Sequence, residues 1–153
     1  MTPDRVRFAL IVLLVAALAG CGGADEPTQS TLPERLSALC EDARTDIEAL
    51  GLPSERGVEI VRPWAARGTR LADDVARLED ATPRERAQLR ALARSLREYY
   101  DGLRLGYDVY TRTRSLDAYV AAVDRAKVFL ADADELAAAL GAPKCAVRPF
   151  PED

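Results

Sequence analysis

Beyond residue 30 the apolar positions of this chain recur at steps of three and four, and only near its start do they form an unbroken run. Leu32, Leu36, Leu39, Cys40, Ala43, Ile47 and Leu50 fall on one side of a helix, and Gly51 is a natural stop. Thr31-Leu32-Pro33-Glu34 opens this row with a capping signature. The threonine hydroxyl can accept a first-turn amide, and the glutamate three residues on can reach back to the threonine amide. The pattern predicts a helix from Thr31 to Leu50.

A second row, Val61, Trp64, Gly68, Leu71, Val75 and Leu78, predicts a helix over Pro63 to Asp80. Pro63 lacks an amide proton and so starts or bends it, with Pro53 to Val61 as a short leading turn. Thr82-Pro83-Arg84-Glu85 repeats the capping signature, and Leu89, Leu92, Leu96, Tyr99, Leu103, Gly106 and Tyr110 form the longest row. A fourth segment starts near Ser115 and runs through Leu116, Tyr119, Val123, Leu130, Ala137 and Leu140 to Gly141 and Pro143. Within it, Asp132-Ala133-Asp134-Glu135 can act as a second cap and split the segment in two. Alternation rich in Val, Ile and Thr, the mark of strands, is absent from the sequence. The expected fold class is all-α, and the short connections predict an antiparallel up-down-up-down four-helix bundle.

The unbroken run has another meaning. Arg5 and Arg7 precede apolar residues from Phe8 to Leu18, and small residues follow, which is the layout of an export signal. The run is too short for a stable membrane span, which takes about 20 residues. Its end, Leu18-Ala19-Gly20-Cys21, resembles the lipobox of bacterial lipoprotein precursors: a leucine, two small residues and an obligatory cysteine. The resemblance covers residues 1 to 21. It implies a diacylglycerol on the Cys21 sulfur, cleavage just before Cys21 and acylation of the new amino terminus. Localisation is then the extracytoplasmic side of a cell membrane, with the membrane itself as first partner through the covalent lipid. Two other readings stay open: Ala17-Leu18-Ala19 satisfies the A-x-A rule of ordinary secretion, and an uncut segment would be a short anchor.

On the lipoprotein reading the chain divides into a signal peptide (1–20), a tether (21–30) and a helical domain (31–153). Gly22 to Ser30 is small and polar, with Gly and Pro, as flexible linkers are. The chain from Cys21 onward carries a formal charge of −5, too mildly acidic for a nucleic-acid binder. Its basic residues are nineteen arginines less the two in the signal, plus Lys127 and Lys144, a bias typical of a high-GC bacterial gene.

Cysteine and histidine bound the chemistry. Apart from Cys21, the cysteines are Cys40 and Cys145, an even number that favours a disulfide in an exported domain. In an up-down bundle the tail after the fourth helix lies beside the start of the first, which brings the two together. The alternative is a reactive thiol pair, but Cys40 falls on an apolar face. The sequence has no histidine, so the commonest general base and metal ligand are both missing. No cofactor or metal is expected, because Asp73-Asp74, Glu79-Asp80 and Asp132-Asp134-Glu135 lack the loop of an EF-hand. Carboxylates brought together by folding leave sugar hydrolysis open as the least favoured reading.

Two surface features carry functional weight. Arg86, Arg90, Arg94, Arg97 and Arg104 project within about 80° of one another at 100° per residue, away from the leucine row. Residues 83–114 are net +4, whereas residues 31–50 and 115–140 are each net −3. Such a face suits anionic headgroups or an acidic protein partner; its arginines could equally pair with acids of neighbouring helices, or with Asp101 and Asp108. The second feature is Tyr99, Tyr100, Tyr107, Tyr110 and Tyr119 around Gly102 and Gly106, which permit either close packing or a small ligand pocket. The functional expectation is a non-catalytic protein-binding or envelope-interaction lipoprotein, with a small-molecule or lipid carrier as the alternative.

Overall fold

A computed structural model of the chain describes residues 30–51, 57–143, 145 and 146. Those residues are all-helical, in the order α1 (Leu32–Ala49), a 3-10 turn (Val58–Ile60), α2 (Val61–Ala76), α3 (Pro83–Thr113) and α4 (Leu116–Ala139). The segments expected to be a signal peptide and, up to Gln29, a tether lie outside the described residues.

Both capping boxes form. The Thr31 amide donates to Glu34 Oε2 at 2.7 Å and the Glu34 amide to the Thr31 hydroxyl at 3.4 Å; the corresponding bonds at Thr82 and Glu85 are 2.8 and 3.2 Å. Each satisfies amides that a helix start leaves without carbonyl partners. Thr82→Ala is expected to lower stability by about 1 kcal/mol, read from denaturant midpoints, and an unchanged midpoint would mean the α3 start is held by packing alone.

α2 departs from the sequence expectation at both ends. It begins at Val61, two residues before Pro63, because a proline within the first turn forfeits no intrahelical bond. It ends at Ala76 rather than Asp80: the amides of Arg77 and Leu78 turn back to Asp74 and Val75, and Asp80 has φ +58°. α4, by contrast, runs unbroken through Asp132-Ala133-Asp134-Glu135. Ala133 is fully buried there, so a break would pull it from the core.

The turns are tight. Arg114 sits in the left-handed region (φ +57°) with its amide on Tyr110 O, and Ser115 caps α4 by accepting the Ala118 amide at 3.1 Å. α4 closes with the Gly141 amide on Ala138 O and the Ala142 amide on Ala137 O, the double bond of a Schellman motif, with Gly141 at φ +74°. That motif turns the tail back, and Cys145 joins Cys40 of α1 as a disulfide with Cα atoms 4.6 Å apart. Both cysteines are fully buried.

Cross-helix contacts join α1 to α2, α2 to α3 and α3 to α4. Arg35 reaches Asp80 (3.4 Å) and the Glu79 carbonyl (2.8 Å), and Arg67 of α2 pairs with Asp46 of α1 at 2.7 Å. The Trp64 indole donates to Gly51 O at 3.2 Å, tying the end of α1 to the first turn of α2. Exposed pairs of this kind add at most about 1 kcal/mol each, so the apolar interior carries the stability. That interior is led by Trp64, Tyr99, Tyr100, Tyr119, Leu36, Ile47, Leu71, Leu92, Leu96 and Leu103, all fully buried or nearly so.

Candidate functional site

The tyrosines are built into this interior. Tyr99, Tyr100 and Tyr119 are fully buried, with the Tyr99 and Tyr100 rings edge to face at 4.9 Å, while Tyr107 and Tyr110 pack against the core at its rim. The glycines serve close packing. Gly68 of α2 lies directly against the Tyr100 ring, Gly106 of α3 lies beside Tyr119, and a Cβ on Gly102 would come within 2.6 Å of the Ala126 methyl. Omitted side chains therefore make room for rings and for helix approach.

Burial has a titration consequence. It pushes the Tyr119 phenol up to about 12, because the phenolate is disfavoured away from water. Folded protein therefore holds this proton while the unfolded chain, titrating near 10, gives it up. Stability is present below pH 10 and is expected to fall by about 1 kcal/mol per pH unit between pH 10 and 12. Tyr119→Phe should flatten that slope in chemical-denaturation curves, and an identical slope in the variant would assign the loss to other groups. At the start of α3, hydrogen bonds from Thr82 hold the Glu85 carboxyl below its ordinary range.

The five arginines do not behave as one stripe. Arg97 crosses to Asp73 of α2, and Arg104 pairs with Asp101 one turn away at 3.2 Å. Arg86, Arg90 and Arg94 are exposed and make no ion pair among the described residues. Asp108 is not a partner for any of the five. The row is neutralised toward its far half and left charged near its start.

Between α3 and α4 runs a surface groove that the apolar rows do not disclose. One part, about 370 Å³, is floored by Gly102, Ala122 and Ala126 and edged by Leu105, Phe129, Arg104 and Arg125. The adjoining part, about 430 Å³, brings Arg94 together with Glu98, Asp132 and Glu135 beside Phe129 and Leu136. Both are large enough for a small ligand, whose sites occupy roughly 300–1,000 Å³, but both open to solvent instead of enclosing a volume. Sequence reasoning passed over Leu105 and Phe129 because each lies off its helix's main row. Their signal was the misfit itself, since Leu105 is 55% exposed despite its apolar side chain.

No group of three or more metal-ligating side chains occurs among the described residues, and no described helix is long and apolar enough to cross a membrane. Cys21 lies outside the described residues. Comparison with protein-family models, with curated proteins and with solved structures finds no match to this chain.

Proposed function

We propose that this chain is a lipid-anchored extracytoplasmic lipoprotein whose helical domain acts, without catalysis, as an interaction module at the cell envelope. The domain is read as an up-down-up-down bundle. Supporting this, cross-helix partners occur in reversed order: Arg35 with Asp80 and Asp46 with Arg67, Gly68 with Tyr100 and Asp73 with Arg97, Gly102 with Ala126 and Gly106 with Ala122. The mechanism is presentation. Acyl chains on Cys21 hold the protein to the bilayer, residues 21–30 give reach, and a rigid helical surface meets a protein partner.

The observation that carries the interaction reading is the filled interior. Tyrosine rings occupy the space beside Gly68 and Gly106, which favours recognition at the surface, where the outer face of α3 and the α3–α4 groove are the candidates. A carrier that enclosed its ligand among the tyrosines would have to part Tyr100 from Gly68, and that packing speaks against it.

Mass spectrometry of the chain produced in a bacterial host tests both halves. The expected product begins at acylated Cys21, lacks two hydrogens for Cys40–Cys145 and carries no further non-covalent ligand under native conditions. An unmodified Cys21 would remove the anchor, and a small-molecule adduct released on denaturation would favour the carrier.

A further inference from the structure

Where the uncompensated arginines stand is informative. Thr31, the first residue of the domain, lies at the end of the bundle where Arg35 meets Asp80 and Pro33 approaches Gly141. Two residues past Asp80, Thr82 caps α3, so α3 begins at the same end from which the chain leads back to Cys21. At 1.5 Å per residue, Arg86, Arg90 and Arg94 fall within roughly 17 Å of that end, whereas Arg97 and Arg104 lie farther along. Several acids at this end are engaged elsewhere, Glu34 with Thr31, Asp80 with Arg35 and Glu85 with Thr82, and no ion pair joins Arg86, Arg90 or Arg94 to the remaining described acids. Cys21 and Thr31 are only ten positions apart, a reach of about 35 Å even when fully extended.

We propose that Arg86, Arg90 and Arg94 form a docking face for the anionic phospholipid headgroups of the bilayer and set how the bundle lies on it. The inference rests on the lipid anchor at Cys21, which supplies retention; the arginines supply orientation. Charge complementarity singles out this occupant. The face is cationic and is displayed where the anchor holds the protein near headgroups. Arginine also matches phosphate with paired N–H donors. α1, with Glu41, Asp42 and Glu48 exposed, packs on α2, so its acids do not compensate the outer face of α3. Arg94 alone has acids in its groove, Glu98, Asp132 and Glu135, and should bind headgroups least strongly.

The test uses the full chain as the bacterial host processes it, bound to vesicles of phosphatidylcholine alone or mixed with phosphatidylglycerol. Arginine-directed dicarbonyl modification is mapped by mass spectrometry. Modification of Arg86 and Arg90 is expected to slow about fivefold on the mixed vesicles, with a smaller effect at Arg94. High salt should restore it, and Arg112 and Arg114 at the far end of α3 should not change. Equal rates on the two vesicle types would overturn the proposal, as would protection that survives on phosphatidylcholine or in high salt. The same spectra report the Cys21 peptide. Unmodified Cys21 with the arginines still protected after vesicles are added would remove the anchor and keep the docking face; acylated Cys21 with unprotected arginines would do the reverse.

Discussion

Replacing Cys40 and Cys145 together by alanine is expected to lower stability by about 4–5 kcal/mol, since the bond closes a very long loop in the unfolded chain. The two residues are 105 apart in sequence. For a domain of this size that loss corresponds to a melting point lower by about 15 °C, measured by circular dichroism with and without reductant. Hydrogen exchange should show α1 opening first. It is held by its α2 seam and by this bond, whereas α3 is flanked by helices on two sides. A loss under about 1 kcal/mol would mean that the bond strains the native state or that the unfolded chain keeps the two ends close.

Gly68→Ala should be the most damaging glycine-to-alanine change among the described residues. The added Cβ would overlap the Tyr100 ring, which is fully buried and closed in by its neighbours. Overpacking of this severity costs about 3 kcal/mol, against which the better helix propensity of alanine returns about 1 kcal/mol. Combining it with Tyr100→Leu separates these terms: in that background Gly68→Ala is expected to be neutral or stabilising, because the ring that it strikes is gone. Equal destabilisation in both backgrounds would show that the methyl meets the α3 backbone, with the ring uninvolved.

Local chemistry was legible in the sequence and the meeting of helices was not. Thr31 with Glu34 and Thr82 with Glu85 could be recognised as helix starts because a capping box needs only residues three apart. The Cys40–Cys145 pair followed from parity and from the tail returning to the first helix. Pro63 misled as a start, since the rule that excludes proline from helix interiors does not reach the first turn. Leu116 kept the apolar period yet is 57% exposed, being the first residue of α4 with little of the bundle over it. Which arginines would find acids depended on Asp73 lying across from Arg97, a relation fixed by helix pairing. The α3–α4 groove likewise exists only once the flank of one helix stands beside the flank of the other.

On the proposed export route, the long separation of the two bonded cysteines would also order events in time. A chain crossing the membrane amino end first would bring Cys40 out early, and Cys145 would follow 105 positions later. Until Cys145 emerges, the thiol of Cys40 has no intramolecular partner other than Cys21, whose sulfur the lipid would occupy. Acylation at Cys21 would thus protect the later crosslink from mispairing, and closure of the bond would mark a chain that has emerged at least as far as Cys145.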